Sequence, residues 1–341
     1  MILTYKLKHN KNFSNELAKA FEIADFVVKN KIKSSNTTLI KDIRGNFPSH
    51  IACQIMKKYG NQKNIKSVHS VNLIVPNQDI KFHEETNSIW IPCLKLHLEN
   101  TIPYKFIKIN QAEIDNTFVY LAFTVPEQTE MIPQSFIGVD RNTTGHIVVT
   151  ANPDTGIVRK FGKKAIHIHT KYKNIRKKLQ RGGHHRKVKH MRDRESRIIR
   201  DLNHKISKEI VDMAKIQNAA LIFEDLSGIK NTKNKQNKSF RYSLHSWSFF
   251  QLQQFVEYKA KLLGVSVLYV DPAYTSQDCS LCSSRGRRTG KQFVCPVCGH
   301  VNHADVNAAF NIALRQKNMV ARIQTKMYTM GTLISQNDAL L

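Results

Sequence analysis

The sequence predicts an α/β protein of several units (α+β overall): a mixed five-stranded sheet between helices, interrupted by a small metal-binding insertion and preceded by a small antiparallel β-barrel with inserted helices. Three observations predict it. Short β-rich runs separated by polar or proline turns fill residues 68–127, an ordered series of strand and helix patterns follows from about 133, and two Cys-x2-Cys pairs interrupt that series near its end. A length of 341 residues suits two or three structural units rather than one.

The elements follow in order. Ile2 and Leu3, then alternating Tyr5 and Leu7, read as one strand over residues 1–10. Phe13, Leu17, Phe21, Ala24 and Val28 recur at three- and four-residue steps, and Ile51, Ile55 and Met56 continue the pattern in a second helix after Pro48. The runs 71–75, 88–91, 106–109 and 118–121 are the strands expected to close the barrel. Next come three strands, 135–140, 145–150 and 156–161, joined by Gly- or Asn-rich turns. A very long helical region reaches about residue 217, its apolar stripe marked by Met191, Ile198, Leu202, Ile206, Ile210 and Met213. A strand at 219–224, a helix from about 244 to 263 stopped by Gly264, a strand at 265–270 and a helix from Asp305 to about Leu314 complete the series. Three hairpin strands, then helix, strand, helix, strand, helix is the element order of the RNase H-like fold.

In that fold the first and fourth strands are neighbours. Asp140 ends the first, Glu224 ends the fourth, and Asp305 opens the last helix, so the order brings three carboxylates together. Oxygen ligands of this kind suit Mg²⁺, and a pair of such ions is the usual machinery for hydrolysing phosphodiesters. Each acid also has a plain structural reading. Asp140 opens a turn, Asp305 caps its helix, and only Glu224, an acid ending an apolar strand, is costly without a ligand or solvent. Three matched positions together favour the catalytic reading.

Cys279, Cys282, Cys295 and Cys298 place two short loops face to face, as structural Zn²⁺ with four thiolates requires, and a redox pair is the weaker alternative. Cys53 and Cys93 stand alone in apolar surroundings and read as buried small hydrophobes.

Lys and Arg number 53 against 26 Asp and Glu, a net charge of +27 that calls for a polyanionic partner such as nucleic acid. Residues 163–200 alone hold fifteen Lys and Arg against two acids. Arg176, Lys177, Lys178, Arg186 and Lys187 are the expected phosphate contacts there, joined by Lys233 and Lys235 in a basic stretch after Glu224 and by Arg287 and Arg288 between the cysteine pairs. A solvated charged face is the alternative. No apolar run approaches the roughly 20 residues of a spanning helix, and no signal peptide is visible, so a cytoplasmic protein is expected.

Gly138-Val139-Asp140-Arg141-Asn142, Leu221-Ile222-Phe223-Glu224-Asp225-Leu226, the two cysteine pairs with their flanks, and Asn302-His303-Ala304-Asp305-Val306-Asn307-Ala308-Ala309 together resemble the TnpB (OrfB) family of insertion-sequence proteins, related to the type V CRISPR effectors. The resemblance covers about 133–315. It implies a prokaryotic, RNA-guided DNA endonuclease, monomeric and nucleoid-associated when bound, with guide RNA and target DNA as partners. It also implies a RuvC-type nuclease domain whose three motifs carry Asp140, Glu224 and Asp305. The units expected are a wedge-like barrel at 1–10 and 67–130, a helical recognition insertion at 11–66, a nuclease domain at 131–270 and 301–316, a zinc ribbon at 271–300 and a tail at 317–341. Where many relatives follow the first aspartate with a short aliphatic residue and glycine, this chain has Arg141-Asn142-Thr143-Thr144-Gly145. Two rival functions share the fold. A strand-transfer transposase places aspartate on the fourth strand and glutamate on the last helix, the reverse of Glu224 and Asp305, and a non-cleaving RNA-guided repressor has no use for all three acids.

Overall fold

The computed structural model describes residues 1–33, 41–62, 64–142, 145–226 and 249–319. Lys233, Lys235, the basic stretch around them and the tail beyond 319 lie outside these residues. The chain divides into two compact units, Met1–Glu127 and Gln128–Leu341.

In the first unit, β1 (Ile2–Lys8) pairs antiparallel with β7 (Phe118–Thr124), β7 with β6 (Lys108–Ile114), and β6 with β2 (Leu73–Pro76). Alternation decides which face is covered: Val119, Leu121 and Phe123 are fully buried, while Phe118, Tyr120 and Thr124 turn to the other side. A separate three-stranded sheet holds β3 (Lys81–His83), β4 (Ser88–Ile91) and β5 (Leu96–Glu99). The expected barrel is therefore corrected to two sheets, with no closed barrel among the described residues. Pro76 ends β2 and Pro92 follows β4; a residue without an N–H cannot extend a ladder, so the short strands stop before a ring can close.

After β1 come α1 (Ser14–Lys29), α2 (Lys41–Arg44) and α3 (Ser49–Gly60). On α3 the expected Ile51, Ile55 and Met56 are fully buried. On α1 the buried stripe is Ala20, Ile23, Ala24 and Val27; Phe21 is exposed, and Leu17 and Val28 are only half-buried. One position along a helix turns the face by about 100°, and the complete i, i+3, i+4, i+7 set takes the core. Cys53 and Cys93 are half-buried rather than enclosed.

The second unit holds the mixed sheet expected from the sequence, in the order β10 (Val158–Phe161), β9 (Val148–Ala151), β8 (Ser135–Arg141), β11 (Ala219–Glu224), β12 (Val267–Val270). The hairpin pairs β10·β9 and β9·β8 are antiparallel, and β8·β11 and β11·β12 are parallel. On one face Ile137, Val139, Leu221 and Phe223 meet Ile206 and Ile210 of α5 (His185–Ile216) and Leu252 and Val256 of α6 (Phe249–Leu263). On the other face Val149 and Ala151 pack with Val306 and Ala309, and Ala220 and Ile222 with Ile312, all from the helix over 304–319, here α7. The ribbon before α7 contains β13 (Arg287–Thr289), β14 (Gln292–Val294) and β15 (Val301–His303) as one antiparallel sheet.

The long helical run is two helices, α4 (Lys163–Arg181) and α5, parted at Gly182-Gly183 where Gly183 takes φ +72°. Of the expected stripe, Ile206, Ile210 and Met213 are buried, Met191 and Leu202 half-buried, and Ile198 exposed. Farther up α5 polar ties replace packing: the buried Glu195 accepts from Arg176 and from His169 Nδ1 at 2.9 Å, joining α4 to α5.

Gly138 sets how closely α7 approaches the sheet. A Cβ there would lie 1.9 Å from the Ala309 carbonyl oxygen and 2.8 Å from the Ala313 nitrogen, both backbone atoms that cannot swing aside. Gly138→Ala is expected to cost about 3 kcal/mol by lifting the helix off the sheet, read from the shift of the urea unfolding midpoint.

Candidate functional site

Strand alternation brings the acids together. Ile137 and Val139 face α5 and α6, so Gly138 and Asp140 face α7; by the same rule Ala220, Ile222 and Glu224 face α7 on the neighbouring strand. The parallel register sets Phe223 beside Val139, which leaves Glu224 and Asp140 at adjacent strand ends. Asp305 enters in the first turn of α7 and is 1% exposed. It does not cap the helix by its side chain: its own N–H donates to His303 Nδ1 at 3.3 Å.

Each carboxylate has its own partner. Asn142 Nδ2 donates to Asp140 Oδ2 at 2.7 Å, the Thr275 hydroxyl donates to Glu224, and Asp305 pairs with Lys291 Nζ at 2.6 Å and Arg288 at 3.2 Å. Burial pushes the Asp140 carboxyl up to about 7, with Asn142 opposing and the charges of Glu224 and Asp305 adding to the rise. These three donor groups do not close into one tight cluster. Among the described residues, only the four cysteines form a group of three or more potential ligands with all donor atoms within 4.8 Å of one another.

A carboxyl whose folded value is about 7 against an ordinary 3.8 holds its proton in the folded state where the unfolded chain has lost it. The metal-free protein therefore loses stability as pH rises through that window. Asp140→Asn removes the loss, so at pH 8 without added divalent ions the variant is expected to melt roughly 5 °C above the wild type, a gap that narrows toward pH 4. Scanning calorimetry across pH measures it.

The cysteines meet where the two hairpin-like loops face each other: Cys279 and Cys298 sulfurs are 3.6 Å apart, Cys282 and Cys295 3.5 Å. Cys279 and Cys295 are buried with Phe293 and Ala304, while Cys282 and Cys298 are exposed. Four convergent thiols are the donor set that fits Zn²⁺.

The expected phosphate contacts divide. Lys177, Lys178, Arg186, Lys187 and Arg287 are exposed. Arg176 is turned to Glu195 and Arg288 to Asp305, so both already serve internal carboxylates. The sequence reading gave no role beside the acids to Asn142, Thr275 or Lys291, nor any to Asn307 and Asn311 on α7. Asn307 accepts from the Ser280 N–H at 3.0 Å and donates to the Asp278 carbonyl at 2.7 Å; Asn311 donates to the carbonyls of Thr275 and Asp278 at 2.8 and 2.6 Å. Their i, i+4 spacing was the available signal, since it sets two amides on one helix face.

Comparison with known proteins adds three relatives and one family model. The model of the Cas12f1-like TNB domain matches residues 249–312. A TnpB-like protein of Methanocaldococcus jannaschii is 29% identical over 73% of this chain and 87% of its own length. The CRISPR-associated endodeoxyribonuclease Cas12f1 of Sulfoacidibacillus thermotolerans is 38% identical over 39% of this chain, but the match spans only 32% of that nuclease. A TnpB-like protein of Aquifex aeolicus is 32% identical over 41% of this chain and 49% of its own length. The family model spans the ribbon and the helix that carry the four cysteines and Asp305, and the relatives are TnpB-like proteins and a CRISPR-associated endodeoxyribonuclease, so the chain is similar to the TnpB family and to the type V CRISPR effectors.

Proposed function

We propose that this chain is an RNA-guided DNA endonuclease whose RuvC-type centre is Asp140, Glu224 and Asp305. The observation that carries the reading is the placement of Asp140 and Glu224 at neighbouring strand ends on the face covered by the helix bearing Asp305. The relatives' names agree: one is a CRISPR-associated endodeoxyribonuclease. The first unit and its helices are assigned to wedge and recognition roles, residues 131–270 and 301–316 to the nuclease domain, and 271–300 to the zinc ribbon.

The acidic donor set fits a hard divalent ion, since carboxylate oxygens are the ligands such an ion prefers, and burial first, then the charges of Glu224 and Asp305, lifts Asp140 where no cation offsets them. Bound Mg²⁺, two ions in this reading, supplies activation of the attacking water and stabilisation of the leaving oxygen. The chain does the rest. Asn142 and Thr275 aim the Asp140 and Glu224 carboxylates, α7 and the ribbon limit water around Asp305, and Arg288 and Lys291 neutralise it until a cation competes for the same oxygens. The exposed Lys177, Lys178, Arg186, Lys187 and Arg287 face nucleic-acid phosphate, with Lys233 and Lys235 assigned the same role from sequence alone. Zn²⁺ on the four cysteines holds the ribbon. No helix among the described residues is long and apolar enough to cross a membrane.

The test is to purify the protein with the RNA it carries, sequence that RNA, and offer matching DNA with Mg²⁺. Cutting at the matched site supports the reading. Joined DNA ends favour a transposase, and matched binding without cutting favours a repressor; either result contradicts it. The basic face has its own test. Changing Lys177, Lys178, Arg186 and Lys187 to Gln is expected to flatten the salt dependence of binding by about one unit of slope for each phosphate no longer neutralised.

A further inference from the structure

We infer that Arg141 is a positioning residue for the acidic centre: it fixes the strand end that carries Glu224, and through it the centre's affinity for a divalent cation. The inference rests on the function proposed above. Arg141 ends β8 directly after Asp140, so alternation sends its side chain to the opposite face, toward α6. The β8·β11 ladder stops at Phe223 beside Val139, and the Asp225 N–H donates to Val270 on β12 at 2.8 Å. The Glu224 carbonyl therefore points toward β8 with no strand partner, and Arg141 Nη2 supplies the missing donor at 2.9 Å.

The other end of the fork is anchored as well. Arg141 Nη1 donates to Gln253 Oε1 of α6 at 2.5 Å, and Gln253 Nε2 in turn donates to Glu257 Oε1 at 2.8 Å and to the Tyr269 hydroxyl of β12 at 2.9 Å. The guanidinium carbon lies 5.5 Å from the centre of the Phe223 ring, and Nε is buried without a hydrogen-bond partner among the described residues. A buried guanidinium whose bonds run to a carbonyl and an amide costs more to enclose than a neutral side chain would. What it gives in return is geometric: one planar fork ties the ends of β8 and β11 to α6, and it does so without occupying any of the three carboxylates. Lysine has a point charge in place of that fork and cannot span both acceptors in the same way.

Groups that hold a ligand without touching the metal typically change metal affinity by about 10- to 100-fold when removed. The experiment measures Mn²⁺ binding to the full chain by the electron paramagnetic resonance of the free ion, beside zinc content and thermal melting. Arg141→Met is expected to weaken Mn²⁺ binding about tenfold with zinc content unchanged, and Arg141→Lys to recover little of it. Affinity within about twofold of wild type for both variants overturns the inference. If Arg141→Met does not fold, Gln253→Ala decides: it removes only the second anchor, a smaller loss in the same direction supports the inference, and an unchanged affinity overturns it. A wild type that binds no more Mn²⁺ than Asp140→Asn denies the proposed metal centre itself, and this inference falls with it.

Discussion

Changing Asp140, Glu224 or Asp305 singly to Ala is expected to lower DNA cleavage by about a thousandfold or more, because ligands that act as one unit fail together. The loss should be chemical rather than structural. Asp140 is held above its ordinary value by burial and by the two neighbouring acids, so its removal relieves repulsion in the folded protein. Asp305→Ala frees Arg288 and Lys291, whose side chains are about a third exposed and can be solvated. Glu224→Ala leaves the Arg141 bond to the backbone carbonyl in place. Binding of RNA and matched DNA, which the proposed function assigns to basic surface and base pairing, is expected to survive in all three. Cleavage and gel-shift assays on the same preparations check this. Cutting retained in any one of them removes that acid from the centre.

Replacing Cys295 with Ser is expected to release zinc and to unfold the ribbon, at a cost of several kcal/mol, since structural zinc contributes folding free energy directly. The damage should reach the acids. Cys279 and Cys295 pack with Phe293 and with Ala304, the residue before Asp305, and Arg288 and Lys291 both come from the ribbon. Cleavage is therefore expected to fall together with zinc content, while Asp140→Ala loses cleavage with zinc intact. Metal analysis and melting of the reduced protein separate the two. A Cys295→Ser variant that keeps its zinc and its melting temperature would show that the four sulfurs hold no structural ion.

The five-stranded sheet was legible because its strands are short apolar runs bounded by their own turns, buried on both faces at β8, β9 and β11, and the order of strands and helices leaves few ways to pair them. The acids were legible for a related reason: their positions at strand and helix ends follow from that order. The barrel was not legible, because closure depends on which strand edges meet, and the three-residue β3 and the half-polar β5, Leu96-His97-Leu98-Glu99, gave no β-rich run to recognise. The face of α1 was misjudged by one position, since two overlapping sets share the same spacing. Arg176 looked like any other cation of a charged run; its partner Glu195 lies 19 residues on, across the Gly182-Gly183 break, and only the fold brings them together. Thr275 meets Glu224 from 51 residues away for the same reason. Arg141 stood out in the sequence only as a departure from the resembled motif, and its fork became meaningful once the unpaired Glu224 carbonyl was in view.

The central claim is that base pairing with a bound RNA directs a cut made by the acidic centre. Exchanging the target-matching segment of that RNA and mapping the cut on a plasmid holding both sequences tests it most directly. The account predicts that the Mg²⁺-dependent cut moves to the new sequence, and that Asp140→Ala protein still shifts that DNA without cutting it. A cut that stays at the old sequence, or persists after the RNA is digested away, would contradict it.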